Sequence, residues 1–195
     1  MTSTTRRRGR FGTEPPSTGT AAQDAEPDQE SVARAIALRL LTASPRSRAQ
    51  LAEAMARKDV PDEVAERVLD RFTEVGLIDD TEYARMLVRT RHAERGLSRR
   101  AIAVELRRRG IDDEVAGDAL GQVDADDEEA AARRLVRRKL ASTAALDPQT
   151  RSRRTLAALG RRGYPSGLVA RLVREELAAL AADIDSDADI DDAGL

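Results

Sequence analysis

The chain has no cysteine and no tryptophan. Disulfides, thiolate zinc sites and iron–sulfur clusters are therefore excluded, and nothing suits the protein to an oxidising compartment. Its only histidine is His92, so a His-based catalytic triad or a histidine metal cluster has no second member. Four aromatics, Phe11, Phe72, Tyr83 and Tyr164, serve 195 residues. The 41% apolar content comes mainly from Ala, Leu and Val, which suits closely packed helices better than sheet. No apolar run approaches the length of about eighteen residues that a membrane span needs, and "MTSTTRRRGRFGTEPPS" lacks the apolar stretch of a secretory signal. A cytoplasmic protein is expected. Neither G-x-x-x-x-G-K-[ST] nor a G-x-G-x-x-G after a strand occurs, which leaves no sign of a nucleotide pocket. The carboxylate pairs Asp126-Asp127 and Glu128-Glu129 open a helical stretch, where they favour the positive helix end. This inventory points to a protein without catalysis, metal or cofactor.

What is abundant is arginine. Lysine occurs only at Lys58 and Lys139, and the net charge of −2 hides a strong segregation. Residues 1–30 carry 4 basic and 5 acidic groups, residues 31–182 carry 29 and 24, and residues 183–195 carry 0 and 6. The central part is basic, with an acidic terminal stretch. Residues 1–30, rich in Thr, Ser, Pro and Gly, and residues 183–195 are expected to be disordered tails. The acidic tail serves solubility, with a reversible shield over the basic face as a second reading. The cluster "RRRGR" at 6–10 is read as solvated, with nucleic-acid contact as the alternative.

Between the tails the pattern is helical. Nine helices are expected at about 31–42, 47–57, 62–76, 80–95, 98–109, 113–122, 126–141, 149–162 and 166–181. Asp79 with Glu82, and Asp112 with Asp113, mark starts; Gly76, Gly96, Gly110 and Gly163 mark stops. A shift of 51 residues superposes Leu51, Met55, Val60, Val64 and Leu69 on Ile102, Leu106, Ile111, Val115 and Leu120. A further shift of 53 carries Leu106, Ile111, Val115 and Leu120 onto Leu159, Tyr164, Leu168 and Val173. Recurring apolar positions with constant joints are the mark of a tandem helical array. Three three-helix repeats are expected, at 31–78, 79–123 and 124–182. In this scheme "LRRRGIDD" (106–113) joins the second and third helices of the middle repeat.

Several strings then resemble a known family. "LLTASPRSRAQLAEAM" (40–55), "VGLIDDTEYARMLVRTR" (75–91), "GLSRRAIAVELRRRGI" (96–111) and "LGRRGY" (159–164) are similar to the RecX regulatory proteins. The most specific piece is "GLIDDTEYARMLVRTR" followed fourteen residues later by "ELRRRGI". The resemblance covers about residues 33–180. It implies an all-α fold of three tandem three-helix repeats in an elongated, curved array. It also implies a non-enzymatic modulator of the recombinase RecA in DNA repair and the SOS response. Such a protein lodges on the RecA–DNA filament and restrains its ATPase, strand-exchange and coprotease activities. Asp79, Asp80, Tyr83, Ala84, Arg89, Arg91, Leu106 and Gly110 fall on the family pattern; Asp79 and Asp80 are read as caps, Tyr83 and Leu106 as packing residues and Gly110 as a turn, while Arg89 and Arg91 stay open between salt bridging and contact with RecA or DNA. Asp59 departs from it where the first repeat would carry glycine.

The candidate contact residues are the arginines of the basic faces. From Arg85 to Arg109 nine arginines face only Glu94 and Glu105, which should attract phosphate or an acidic protein surface. The residues assigned to this face are Arg85, Arg89, Arg91, Arg95, Arg99, Arg100, Arg107 and Arg108, with Arg133, Arg137, Arg153 and Arg154 from the third repeat. The expected partner is the RecA filament, with weak, sequence-unselective DNA contact, no membrane, and a monomeric protein. A stand-alone helical DNA-binding transcription regulator and a passive helical scaffold are the competing readings. Exposed aromatics for base stacking are missing.

Overall fold

A computed structural model describes residues 28–192, with side chains as far as Ala182. The expectations for residues 1–27 lie outside it. Nine helices are present among the described residues and no strand: α1 (Gln29–Ala43), α2 (Arg48–Ala56), α3 (Asp62–Glu74), α4 (Asp80–Ala93), α5 (Arg99–Arg108), α6 (Asp113–Leu120), α7 (Ala125–Ala141), α8 (Pro148–Gly160) and α9 (Ser166–Asp192). Their starts are fixed locally. Ser47, Asp79, Ser98, Asp112, Asp124 and Asp147 each accept a backbone N–H of the first turn, supplying a partner that the helix itself lacks. At Ser47 the exchange is reciprocal, because Gln50 returns the bond at 3.2 Å. Gly76, Gly96, Gly110 and Gly163 end their helices at positive φ, as does Asp59 (φ 56°). α9 runs to Asp192, beyond the end near residue 181 that the apolar pattern predicts, because extending an existing helix adds a bond per residue without a new nucleation step.

The helices pack in threes. Leu51, Met55, Val68, Leu69 and Phe72 anchor one core between α1, α2 and α3. Tyr83, Leu87, Val88, Ile102 and Leu106 anchor the second, and Val136, Leu140, Leu159, Leu172 and Val173 the third. Burying a side chain of this size contributes about 1.5–3 kcal/mol. All extensive helix contacts lie within a triplet. The units therefore meet through narrow joints, and each joint is built the same way.

At the first joint Ser47 donates its hydroxyl to the Arg109 carbonyl at 2.6 Å, and Ala49 sits over Gly110. Asp80, the first residue of α4, accepts the Arg48 N–H at 2.9 Å. Burial pushes the Asp80 carboxyl up, and the Arg48 contacts offset part of that shift. At the second joint the Ser98 N–H donates to the Arg162 carbonyl at 3.0 Å, Ala101 sits over Gly163, and Glu128 accepts the Arg99 N–H at 2.9 Å. So the next unit seats the second helix of the unit before it. Its carboxylate caps that helix, and the turn glycine of its Arg-Gly joint lies beneath the helix start. Ser47 and Ser98 are both fully buried by this docking.

The departure at Asp59 now has a reason. It occupies, in the first unit, the place of Gly110 and Gly163, but among the described residues no earlier helix is seated there. Aspartate tolerates the left-handed region better than most residues, and here its side chain is exposed. At the other end Pro148 opens α8 where Arg48 and Arg99 open α2 and α5. Proline has no N–H for a following unit to cap.

Candidate basic groove

α7 carries "RRLVRRK" at 133–139. Because successive residues turn by about 100°, positions four apart share a stripe and neighbours do not. Arg133 and Arg137 form one stripe, and α9 claims it. Arg133 reaches Glu175 at 2.8 Å and Glu176 at 3.2 Å, and Arg137 holds Glu176 at 2.7 Å. Glu176 is only 7% exposed, and the Arg137 guanidinium first, then Arg133, holds its carboxyl below the usual range. Arg133 also meets Glu129 at 3.1 Å, and Arg171 ties Glu129 to Glu175. These cations hold the third unit together.

Arg134 and Arg138, one position on, face the second joint. Arg134 and Arg138 line a hollow of about 170 Å³ with His92, Arg95, Gly96 and Leu135. Arg138 and Leu135 also line an adjoining hollow of about 270 Å³ with Lys139, Ser142, Leu159 and Arg162. The two form one groove across the joint. Its floor is Leu135, which packs where a Cβ on Gly96 would meet it at 3.0 Å. Arg162 crosses it, its Nε donating to the Arg95 carbonyl at 3.4 Å. Arg95, Arg134, Arg138, Lys139 and Arg162 have no carboxylate partner among the described residues, and Glu94 is the acidic residue in the lining. His92 is half-buried, with Nδ1 3.3 Å from the Leu97 carbonyl. A cluster of cations with a single carboxylate in its lining suits an extended anion.

Comparison with known proteins gives this architecture its relatives. Models of the first, second and third three-helix domains of RecX match residues 33–72, 79–120 and 126–173. The chain is 51% identical over 174 residues to the regulatory protein RecX of Thermobifida fusca, covering 89% of this chain and 92% of that one. The chain belongs to the RecX family. The RecX of Streptomyces coelicolor is 49% identical over 158 residues, covering 80% of this chain and 84% of that one. That of Mycobacterium tuberculosis is 44% identical over 156 residues, covering 78% and 90%. A crystal structure of RecX from Lactobacillus salivarius shares the fold at a TM-score of 0.66 and 20% identity, covering 76% of this chain and 96% of that one. These relatives bear the name of regulatory proteins, and this RecX chain is accordingly a regulator. Among the described residues no helix is long and apolar enough to cross a membrane.

Within the RecX chain, the arginines expected on the contact face divide. Arg91 is structural: its side chain is 13% exposed and it grips Glu105 through Nε and NH2 at 2.8 Å. Arg89 pairs with Glu82 at 2.9 Å, and Arg107 with Asp113 at 3.5 Å, both on the surface. Arg133 and Arg137 belong to the α9 anchor. Arg85, Arg100, Arg108, Arg153 and Arg154 are exposed, and Arg99 is half-buried beside its capping Glu128. Of the twelve, only Arg95 lines the groove; Arg134, Arg138, Lys139 and Arg162 join it there although the stripe reasoning passed them over. The signal available was the Glu175-Glu176 pair, which predicts which stripe of α7 is neutralised.

Glu105 carries a prediction of its own. Arg91 and Arg109, the latter at 2.6 Å, converge on it. Their hydrogen bonds, Arg91 first, outweigh burial and pull its carboxyl down to about 2. A folded pKa below the unfolded value stabilises fully above the unfolded pKa and fades as pH falls from about 4.5 toward 2. Glu105→Gln should cost about 1–2 kcal/mol at pH 7, after allowance for solvent screening, and much less at pH 2.5. Urea melts at the two pH values check this; an equal loss at both would contradict it.

Proposed function

We propose that this RecX chain regulates by engaging the RecA–DNA filament, with the groove across the second joint turned toward anionic groups of that polymer. The supporting observation is a contiguous set of five cations, without a carboxylate partner among the described residues, in a chain of a regulatory family. In the same units, most acidic side chains near arginine are consumed by structural pairs. The groove presents no Phe, Tyr or Trp for base stacking, so contact with nucleic acid is unselective and salt-sensitive. An array whose units meet only at narrow joints also suits a repetitive partner, because each unit presents its own face at regular intervals.

The experiment is a titration of RecA's DNA-dependent ATP hydrolysis with the full chain. Suppression is expected at amounts well below one chain per RecA. No effect at equimolar protein would overturn the reading. A mobility-shift competition with unrelated DNA sequences should show no preference among them.

A further inference from the structure

An ion triad of the second unit recurs in the third with its acid removed. In the second unit Arg91 of α4 and Arg109, just past α5, converge on the Glu105 carboxylate at 2.8 and 2.6 Å. The Tyr83 hydroxyl oxygen gives Arg109 a second acceptor. The third unit repeats α4 in α7 after 48 residues, a register in which Asp80 falls on Glu128, and both cap the second helix of the unit before. It repeats α5 in α8 after 53 residues. Lys139 then stands for Arg91, Arg162 for Arg109, Ala158 for Glu105 and Ala131 for Tyr83. Both cations are kept, and the side chains that accepted from them are alanine.

Lys139, Ala158 and Arg162 line one hollow of about 270 Å³, together with Leu135 and Leu159. It lies where the Glu105 side chain lies one unit earlier, and none of the described acidic residues lines it. Arg162 turns to backbone instead, donating from Nε to the Arg95 carbonyl and from NH1 to the Ala158 carbonyl, both at 3.4 Å. The first unit shows the triad dismantled more fully. There the three places, 51 residues before those of the second unit, hold Leu40, Ala54 and Lys58. The α1 cation has gone with the acid, and Leu40 packs against the apolar core. In the third unit two half-buried cations share a hollow without an acid, an arrangement that desolvation and like-charge repulsion disfavour until an anion enters.

We infer that the hollow between Lys139 and Arg162 is a binding site for a carboxylate side chain, an aspartate or glutamate that enters where Glu105 sits in the second unit. Two features favour a carboxylate over a backbone phosphate. The internal template is a carboxylate on an aliphatic stem, and Leu135 and Leu159 offer that stem an apolar wall. Lys139 and Arg162 are half-buried, whereas Arg134 and Arg138 elsewhere in the groove are exposed, so a phosphate flanked by sugars meets the exposed pair first. The inference rests on the reading of the groove as an anion site and does not require RecA.

Ala158→Glu in the full chain supplies the missing acid from within. Its thermal midpoint should rise, and Lys139→Met should cancel the rise; no rise, or one that survives Lys139→Met, would show that the place does not hold a carboxylate. The external probe is a fluorescently labelled hexaglutamate peptide, followed by anisotropy at low salt. Saturable binding is expected, and Ala158→Glu and Lys139→Met should each weaken it about tenfold or more. Ala157→Glu, which sets the same charge on the neighbouring exposed position, should weaken it about threefold or less. No binding, or equal weakening by Ala157→Glu and Ala158→Glu, would overturn the inference. So would an equal loss in binding of a thymidine oligonucleotide, which would make the occupant a phosphate. Changing the six aspartates of residues 183–195 to asparagine identifies the source of the carboxylate. Tighter peptide binding by that chain assigns an internal competitor, unchanged binding assigns a partner protein, and either keeps the site. RecA is absent from these assays, so failure here leaves the ATPase titration standing, and the reverse.

Discussion

Replacing Gly110 by alanine is expected to lower the unfolding free energy by about 2–5 kcal/mol, whereas Gly76→Ala loses only about 1–2 kcal/mol. The two glycines share the same φ of 71°. Both variants therefore pay the backbone cost of a Cβ in the left-handed region. They differ in what the Cβ meets. At Gly76 nothing lies within 4 Å, while at Gly110 the methyl of Ala49 stands 2.3 Å away. Ala49 is one residue into α2 and cannot rotate aside, so the joint between the first two units must open or α2 must shift. Urea denaturation followed by circular dichroism measures both losses. Combining Gly110→Ala with Ala49→Gly should recover the excess over Gly76→Ala and leave the backbone cost. Gly163→Ala, whose Cβ would meet Ser98 Oγ at 2.5 Å and Ala101 Cβ at 2.7 Å, should do to the second joint what Gly110→Ala does to the first. Since each unit contacts only its neighbours, the variant melts should broaden as units unfold separately. Equal losses for Gly76→Ala and Gly110→Ala would show that the joint yields without strain.

Asp59 supplies the internal control for this account of the joints. It adopts a φ of 56° with a full side chain, at the one copy of the turn on which, among the described residues, no earlier helix rests. From the sequence, Asp59 is a departure from a pattern. In three dimensions it lies in the first of the three described units.

The helices, their triplet grouping and their caps were legible in the sequence because each rests on residues a few positions apart. Apolar spacing set α4, Asp79 capped it, and Gly110 ended α5 as its Arg-Arg-Gly context implies. The joints were not legible, because they pair residues tens of positions apart whose local meaning is different. Asp80 reads as a helix-start residue of α4, yet its carboxylate caps α2, 32 residues earlier. Glu128 reads as a dipole-favouring acid of α7, yet it caps α5. The basic face suffered from the same limit. A run of like charges shows where arginines are dense, but which stripe stays free depends on acidic residues of another helix. Arg91 was neutralised by Glu105 across α4 and α5, and Arg133 and Arg137 by Glu176 across α7 and α9.

That division of α7 gives the second large effect. Arg134→Glu with Arg138→Glu should weaken binding of the chain to single-stranded DNA by about 100-fold at low salt, with its stability unchanged. Each lost charge-assisted contact is worth about 1.5–3 kcal/mol, and two such losses exceed the roughly 2.8 kcal/mol that a hundredfold change requires. Reversal also sets two carboxylates beside Arg95 and Arg162, diverting the cations that remain. The salt dependence should fall in step, because each phosphate contact removed lowers the slope of log K against log salt by about 0.7 for a single strand. Arg133→Ala with Arg137→Ala should do the reverse. Those arginines hold Glu176, and their loss leaves a carboxylate that is 7% exposed without its ion pairs, which lowers the stability of the third unit. The third unit should then melt first, while the groove cations at 134 and 138 remain. Filter binding over a salt series, read beside thermal melts, separates the two stripes of one helix. If the Arg134 and Arg138 reversals leave both affinity and salt slope untouched while the Arg133 and Arg137 variant loses them in its folded state, the groove is not where the anion sits.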